Sequence, residues 1–246
     1  MGFVRSLATV LFIIALPVAI VTTNIRVLAN APVVYNYAFD RYNGQDATGL
    51  SRADLNSTAG ALRQYFNNNE KTFYHQVTED GLPAPVFNAR ETRHMEDVKR
   101  LFVWVNLAQE VSVIFVLVYA VAFFVSAQEV DPRQLAGQSL AGVALGVFAV
   151  GGIGIFAAFA FDAAFTRFHK LLFANDFWQL NPNTDHLLQM FPDGFWRDIT
   201  IALGAMCAIE AALIASVAAL YLLGTRSERR RIVSSVALNT SNTQAA

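Results

Sequence analysis

The chain has a single cysteine, Cys207, set inside an apolar run. No internal disulfide can form, and a thiol in such a run is a packing residue rather than a surface nucleophile. Charge is scarce as well: 18 Lys and Arg stand against 19 Asp and Glu in 246 residues, for a formal net charge of −1. No basic stripe crosses the body of the chain, so nucleic-acid binding lacks its electrostatic footprint. The sequence also lacks a His-Glu-x-x-His motif, paired cysteines and any two histidines four apart, which removes the usual zinc spacings.

What is abundant is apolar surface. Hydrophobic residues make up 54% of the chain, above the ~45–50% of soluble domains even with glycine counted. Four runs are long enough to span a bilayer, which takes roughly 20 apolar residues. They cover about residues 6–28, 101–127, 135–161 and 199–223. The expected fold is an all-α membrane protein: a four-transmembrane-helix bundle with a small extracytoplasmic cap, forming one membrane domain over 1–246. Arg5 and the small residues at Ala29-Asn30-Ala31 imitate a signal peptide around the first run. Its apolar stretch exceeds the roughly 7–15 residues of a signal h-region, so it reads as a retained helix that Pro17 kinks.

Arg5, Arg133 and the cluster Arg226, Arg229, Arg230 and Arg231 fall on one side of a four-span layout. The positive-inside rule makes that side cytoplasmic. Both long loops, 29–100 and 162–198, are then extracytoplasmic in a bacterial cell membrane. Within the first loop, Leu50–Phe66 reads as an amphipathic helix opened by Ser51 and Asp54, Phe73–Val77 as a short strand, and Pro83 with Pro85 as a turn. The tail 225–246 is polar and expected to be disordered. Gly151-Gly152-Ile153-Gly154 imitates a nucleotide loop but follows no strand. Gly142 and Gly146 form a small-xxx-small pair suited to close helix packing.

All four histidines fall outside the spans on the extracytoplasmic side. His94 precedes the second span by about seven residues and His169 follows the third, so both sit at the same membrane interface. Two such histidines suit an acid–base pair, since imidazole titrates near neutral pH. Solvated interfacial residues are the plainer alternative. Asp97, three residues after His94, shares its helix face and is placed to orient the imidazole, or to act as one more surface charge. A zinc site of His94, His169, Asp97 and Asp185 is the weaker competitor. The aromatics Phe165, Phe168, Phe173, Phe177, Trp178, Phe191, Phe195 and Trp196 fit an interfacial belt, or a screen that keeps water from a reacting ester. Glu110 and Glu210 lie about 14–17 Å inside their spans and need partners, for which Asn106 and Gln109 are candidates.

Two blocks carry a family resemblance. The first, FNARETRHMEDVK, holds Glu91, His94, Met95, Asp97, Val98 and Lys99. The second runs from FTRFHK to FWRDI and holds Phe168, His169, Trp178, Pro182, Asp185, Phe191 and Pro192. Together with the four-span layout they resemble the lipoprotein intramolecular transacylase (Lit) family across most of residues 1–225. The resemblance implies a diacylated bacterial lipoprotein as substrate and membrane lipid as surroundings, with no nucleic acid, metal or organic cofactor. The reaction moves the sn-2 acyl chain of a diacylglyceryl-cysteine to the α-amino group of that cysteine. The family's two catalytic histidines map onto His94 and His169. Glu91, Asp97, Phe168, Trp178 and Asp185 are the candidates for orienting or lining that site. A different lipid enzyme on the same histidines, and a non-catalytic scaffold or transport component, are the other readings.

Overall fold

The computed structural model describes residues 2–79, 81–125 and 131–244. Four of its helices are long and apolar enough to cross a membrane: α1 (Gly2–Asn30), α5 (Ala89–Val125), α6 (Arg133–Phe159) and α9 (Asp193–Gln244). The second span was expected to run to Ala127, which lies outside the described residues. The short elements α2 (Pro32–Arg41), α3 (Gly44–Thr48), α4 (Arg52–Asn67), β1 (Gln76–Glu79) and β2 (Leu82–Pro85) lie between α1 and α5. Helices α7 (Phe161–Leu172) and α8 (His186–Met190) lie between α6 and α9.

The chain divides into two compact units, 1–19 with 112–148 and 208–246, and 20–111 with 149–207. In the first unit the glycine pair does what its spacing suggests. A Cβ built on Gly142 would stand 3.0 Å from a Leu16 methyl, and one on Gly146 would stand 2.9 Å from Pro17 Cβ. Hydrogen at these two positions lets α6 lie directly on α1. Helix α1 continues through Pro17 to Asn30. Polar groups here satisfy one another, as apolar surroundings require. Tyr119 donates to Gln138 at 3.0 Å, Gln138 donates to Thr9 at 3.3 Å, and the Thr9 and Tyr119 hydroxyls are 3.1 Å apart. Helix α9 extends to Gln244, where the sequence suggested a disordered tail. Continuing an existing helix needs no new nucleus, so weak helix formers can follow.

The second unit holds the cap. Ser51 caps α4, its hydroxyl accepting from the Asp54 amide at 3.1 Å. Leu55, Thr58, Ala59, Leu62 and Tyr65 follow at helical spacing, and all are buried. Leu55, Ala59, Leu62 and Tyr65 pack with Phe39, Phe73, Val77 and Phe87, and with Met190 and Phe191 from the second loop, in one apolar cluster. The expected strand begins later, at Gln76, and pairs antiparallel with β2. Pro83 and Pro85 belong to that second strand rather than to a turn. In a two-stranded ribbon one edge stays unpaired, and residues two apart direct their nitrogens to the same edge, so both prolines are tolerated. The turn falls instead at Gly81, whose φ of 78° suits glycine.

Glu110 finds its partner on α1. Arg26 reaches Glu110 at 3.2 Å and Gln109 at 2.9 Å. The expected partner Asn106 is not used, and its buried side-chain oxygen has no hydrogen bond among the described residues. A guanidinium neutralises the carboxylate, which an amide cannot do.

Candidate active site

Helix α5 is 37 residues long, or about 55 Å at 1.5 Å per residue. A bilayer's hydrocarbon core is only about 30 Å thick. The first three turns carry Arg90, Glu91, Arg93, His94, Glu96, Asp97, Lys99 and Arg100, and the predominantly apolar run starts at Leu101. Those turns therefore stand beyond the hydrocarbon.

Asn88 starts this helix. Its side-chain oxygen accepts from the amides of Arg90 and Glu91 at 2.9 and 3.1 Å, while Glu91 reaches back to the Asn88 amide at 2.8 Å. This is a capping box with asparagine at the cap position. The other Glu91 oxygen accepts from the Leu187 amide at 2.6 Å. Asp185 accepts from the Asn88 side chain at 3.0 Å, the Asn181 amide at 2.7 Å and the Thr184 hydroxyl at 3.1 Å. Glu91 is 1% exposed, and burial raises its pKa against the two amide donors. The two carboxylates thus clasp the 173–191 loop to the start of α5.

That loop brings Phe173 and Trp178 to the histidines. Ala160 leaves helical geometry (φ −143°, ψ 54°), so α7 starts as a separate helix after α6. His169 is the buried residue of α7. Its ring lies 4.2 Å from Phe165, 4.9 Å from Trp178, 5.3 Å from Phe168 and 5.5 Å from Phe173, between centroids. The His94 ring is 5.9 Å from His169 and 5.3 Å from Phe173. Both histidines are buried.

The two imidazoles differ in their hydrogen bonds. His169 Nδ1 lies 2.8 Å from the Phe165 carbonyl oxygen. A carbonyl only accepts, so Nδ1 carries the proton and Nε2 of the neutral ring carries the lone pair. His94 Nδ1 is buried without a partner among the described residues. Burial, then the neighbouring His169, push the His94 pKa down to about 4, against the pull of Asp97. Burial lowers His169 too, opposed by the Phe165 carbonyl and Asp193. Both rings are therefore neutral at pH 7.

The sequence candidates divide accordingly. His94, His169, Phe168 and Trp178 share one enclosure. Asp97 makes no hydrogen bond to His94. It accepts from Asn175 at 2.8 Å and pairs with Arg100 on its own helix, so it steadies the loop rather than the imidazole. His75 bonds Ser57 at 2.6 Å, and His186 donates to the Val86 carbonyl at 2.8 Å as the first residue of α8. Asn88 and Asn175 were not foreseen. Asn-x-x-Glu ahead of a helix was a readable capping signal for Asn88. The bond from Asn175 to Asp97 joins residues far apart in sequence and left no local signal.

Four helices able to cross a membrane and two neutral histidines in an aromatic enclosure define an integral membrane protein with a site equipped for proton transfer. The sequence pattern of the lipoprotein intramolecular transacylase Lit family matches residues 10–196, and the chain belongs to that family of acyltransferases. The fold is similar to that of the membrane-integral lipoprotein intramolecular transacylase Lit from Bacillus cereus. The TM-score is 0.76 at 19% identity, covering 94% of this chain and all of that one. Two structures of that protein with one histidine replaced, by arginine and by alanine, each match at TM-score 0.72 and 18% identity. They cover 92% of this chain and 96% and 97% of theirs. No curated protein matches the sequence.

Proposed function

We propose that this protein moves the sn-2 acyl chain of a diacylglyceryl-cysteine lipoprotein onto the α-amino group of the same cysteine. The product is N-acylated and S-monoacylated, a lyso-form lipoprotein. The observation that carries this is the 5.9 Å approach of His94 and His169 inside one aromatic enclosure.

The α-amine attacks the sn-2 ester carbonyl. His169 Nε2, the free lone pair of a ring fixed by the Phe165 carbonyl, takes the proton the amine loses. A buried N–H without a partner is rarer than a buried lone pair. His94 therefore keeps its proton on Nε2 and donates from there to the oxyanion of the tetrahedral intermediate. The intermediate collapses with loss of the glyceryl sn-2 oxygen, which takes the proton back from His169. One ester bond breaks, one amide bond forms, and no proton is gained or lost overall.

Confinement converts a floppy intramolecular encounter into a near-attack geometry. Phe165, Phe168, Phe173 and Trp178 around the rings exclude water, which favours the amine over hydrolysis. The arginines Arg5, Arg133 and Arg226 support cytoplasmic termini and a site at the outer leaflet, where lipid ester carbonyls lie.

Expression in a bacterium that lacks lipoprotein N-acylation tests this. Mass spectrometry of lipoprotein N-termini should find one acyl chain moved to nitrogen with the total mass unchanged. Loss of an acyl chain would mark a hydrolase, and unaltered N-termini beside folded protein would mark a scaffold.

A further inference from the structure

A groove of about 280 Å³ opens one helical turn from His94. Helix α5 gives it Arg93, Glu96, Asp97 and Arg100, which share one face at spacings of three, four and seven. Lys71 from the connection between α4 and β1 closes one side, and Asn175 and Phe177 from the loop after α7 close the other. The geometry points to this groove as the subsite for the polypeptide that follows the acyl-bearing cysteine. The inference rests on the acyl-shift reading and extends it to the peptide part of the substrate.

The substrate in that reading has two unlike ends. Its acyl chains suit the aromatic flank of His169, formed by Phe165, Phe168 and Trp178. Its peptide carries an amide donor and a carbonyl acceptor at every residue and needs a polar flank. The groove lies on that flank, since Asp97 stands three residues from His94 on the same helix.

The groove is also built in advance. Asn175 donates to Asp97 at 2.8 Å and accepts from the Phe177 amide at 3.0 Å, fixing one wall. Glu96 accepts from Arg93 at 2.9 Å and from Thr72 at 2.7 Å, fixing the other. Arg93 and Arg100 remain largely in water, with side-chain exposures of 58% and 75%. Each guanidinium has five N–H donors and spends few of them on its carboxylate, so donors remain for peptide carbonyls. Phe177 adds an aromatic wall. Three cations face two carboxylates, so the groove favours peptides with acidic rather than basic side chains next to the cysteine.

Purified full-length protein in nanodiscs tests this with three synthetic diacylglyceryl-cysteine substrates. One ends at the cysteine amide. The other two continue as a short peptide, with aspartate or with lysine at the two positions after cysteine. We expect both peptides to exceed the amide in kcat/KM. Aspartate should exceed lysine by about threefold, the scale of exposed charge pairs. Replacing both Arg93→Gln and Arg100→Gln leaves one cation against two carboxylates and should reverse the aspartate–lysine order. Equal kcat/KM for amide and peptides in the wild type overturns the subsite, and that comparison needs no substitution. An aspartate preference that persists in the double variant overturns it as well. Absence of acyl migration on all three substrates overturns the acyl-shift reading itself, and the subsite with it.

Discussion

The His94 and His169 rings face each other at 5.9 Å with planes inclined by 36°, and Phe173 packs against both. The two come from helices separated by a whole span and a loop, so their meeting is a product of the tertiary fold. Removing the proposed base by His169→Gln should lower the rate about 10²–10⁴-fold, the usual worth of a positioned acid or base. Thermal stability should change little by comparison. A kinetic assay beside a melting curve in detergent checks both.

Acid should weaken the fold through His94. Its folded pKa is about 4, against 6.5 for an unperturbed histidine. Between those values the unfolded chain binds a proton that the folded chain refuses. Stability is therefore intact above pH 6.5 and falls as pH drops toward 4, by roughly 3 kcal/mol over the window. Melting curves across pH 4–7 should show the loss, and His94→Gln should flatten that part of the profile.

Glu91 takes two backbone amides from two segments, Asn88 and Leu187. Glutamine presents one acceptor oxygen in place of two, so Glu91→Gln leaves one buried amide facing an NH2 group. A cost of about 1–3 kcal/mol is expected. Amide hydrogen exchange in residues 173–191 should quicken, and kcat should fall as Trp178 loses its fixed place on His169.

Gly146 admits no side chain without displacing Pro17. Gly146→Val should destabilise the protein by about 1–3 kcal/mol through overpacking. The same change at Gly151, where an added Cβ meets nothing within 4 Å, should be far milder. Melting temperatures of the two variants give the comparison.

Much of this architecture could be read from the chain. Spans declare themselves by length and hydropathy, the α4 face by its spacing of Leu55, Leu62 and Tyr65, and the helix contact by Gly142 and Gly146. His94 and His169 were legible because both lie just beyond apolar runs, where topology fixes depth. Arg26 as the partner of Glu110 was not legible, since sequence gives no rotation of one helix against another. The choice between the two readings of Asp97 was not legible for a related reason. Its spacing from His94 permits contact, but Asn175, brought in by a distant loop, takes the carboxylate instead. Helix α7 stayed hidden because the chain bends at Ala160 without a proline or glycine to mark the break.

The central claim is that one substrate molecule supplies both the acyl chain and the amine that receives it. A label-crossing experiment tests it most directly. Two diacylated lipopeptides of different peptide mass, one with isotopically heavy acyl chains, are mixed with the purified protein and read by tandem mass spectrometry. We predict that every N-acyl group carries the label of its own peptide, and that His169→Gln protein yields almost no N-acylated product. Heavy chains on the light peptide, or free fatty acid in place of N-acyl product, would contradict the account.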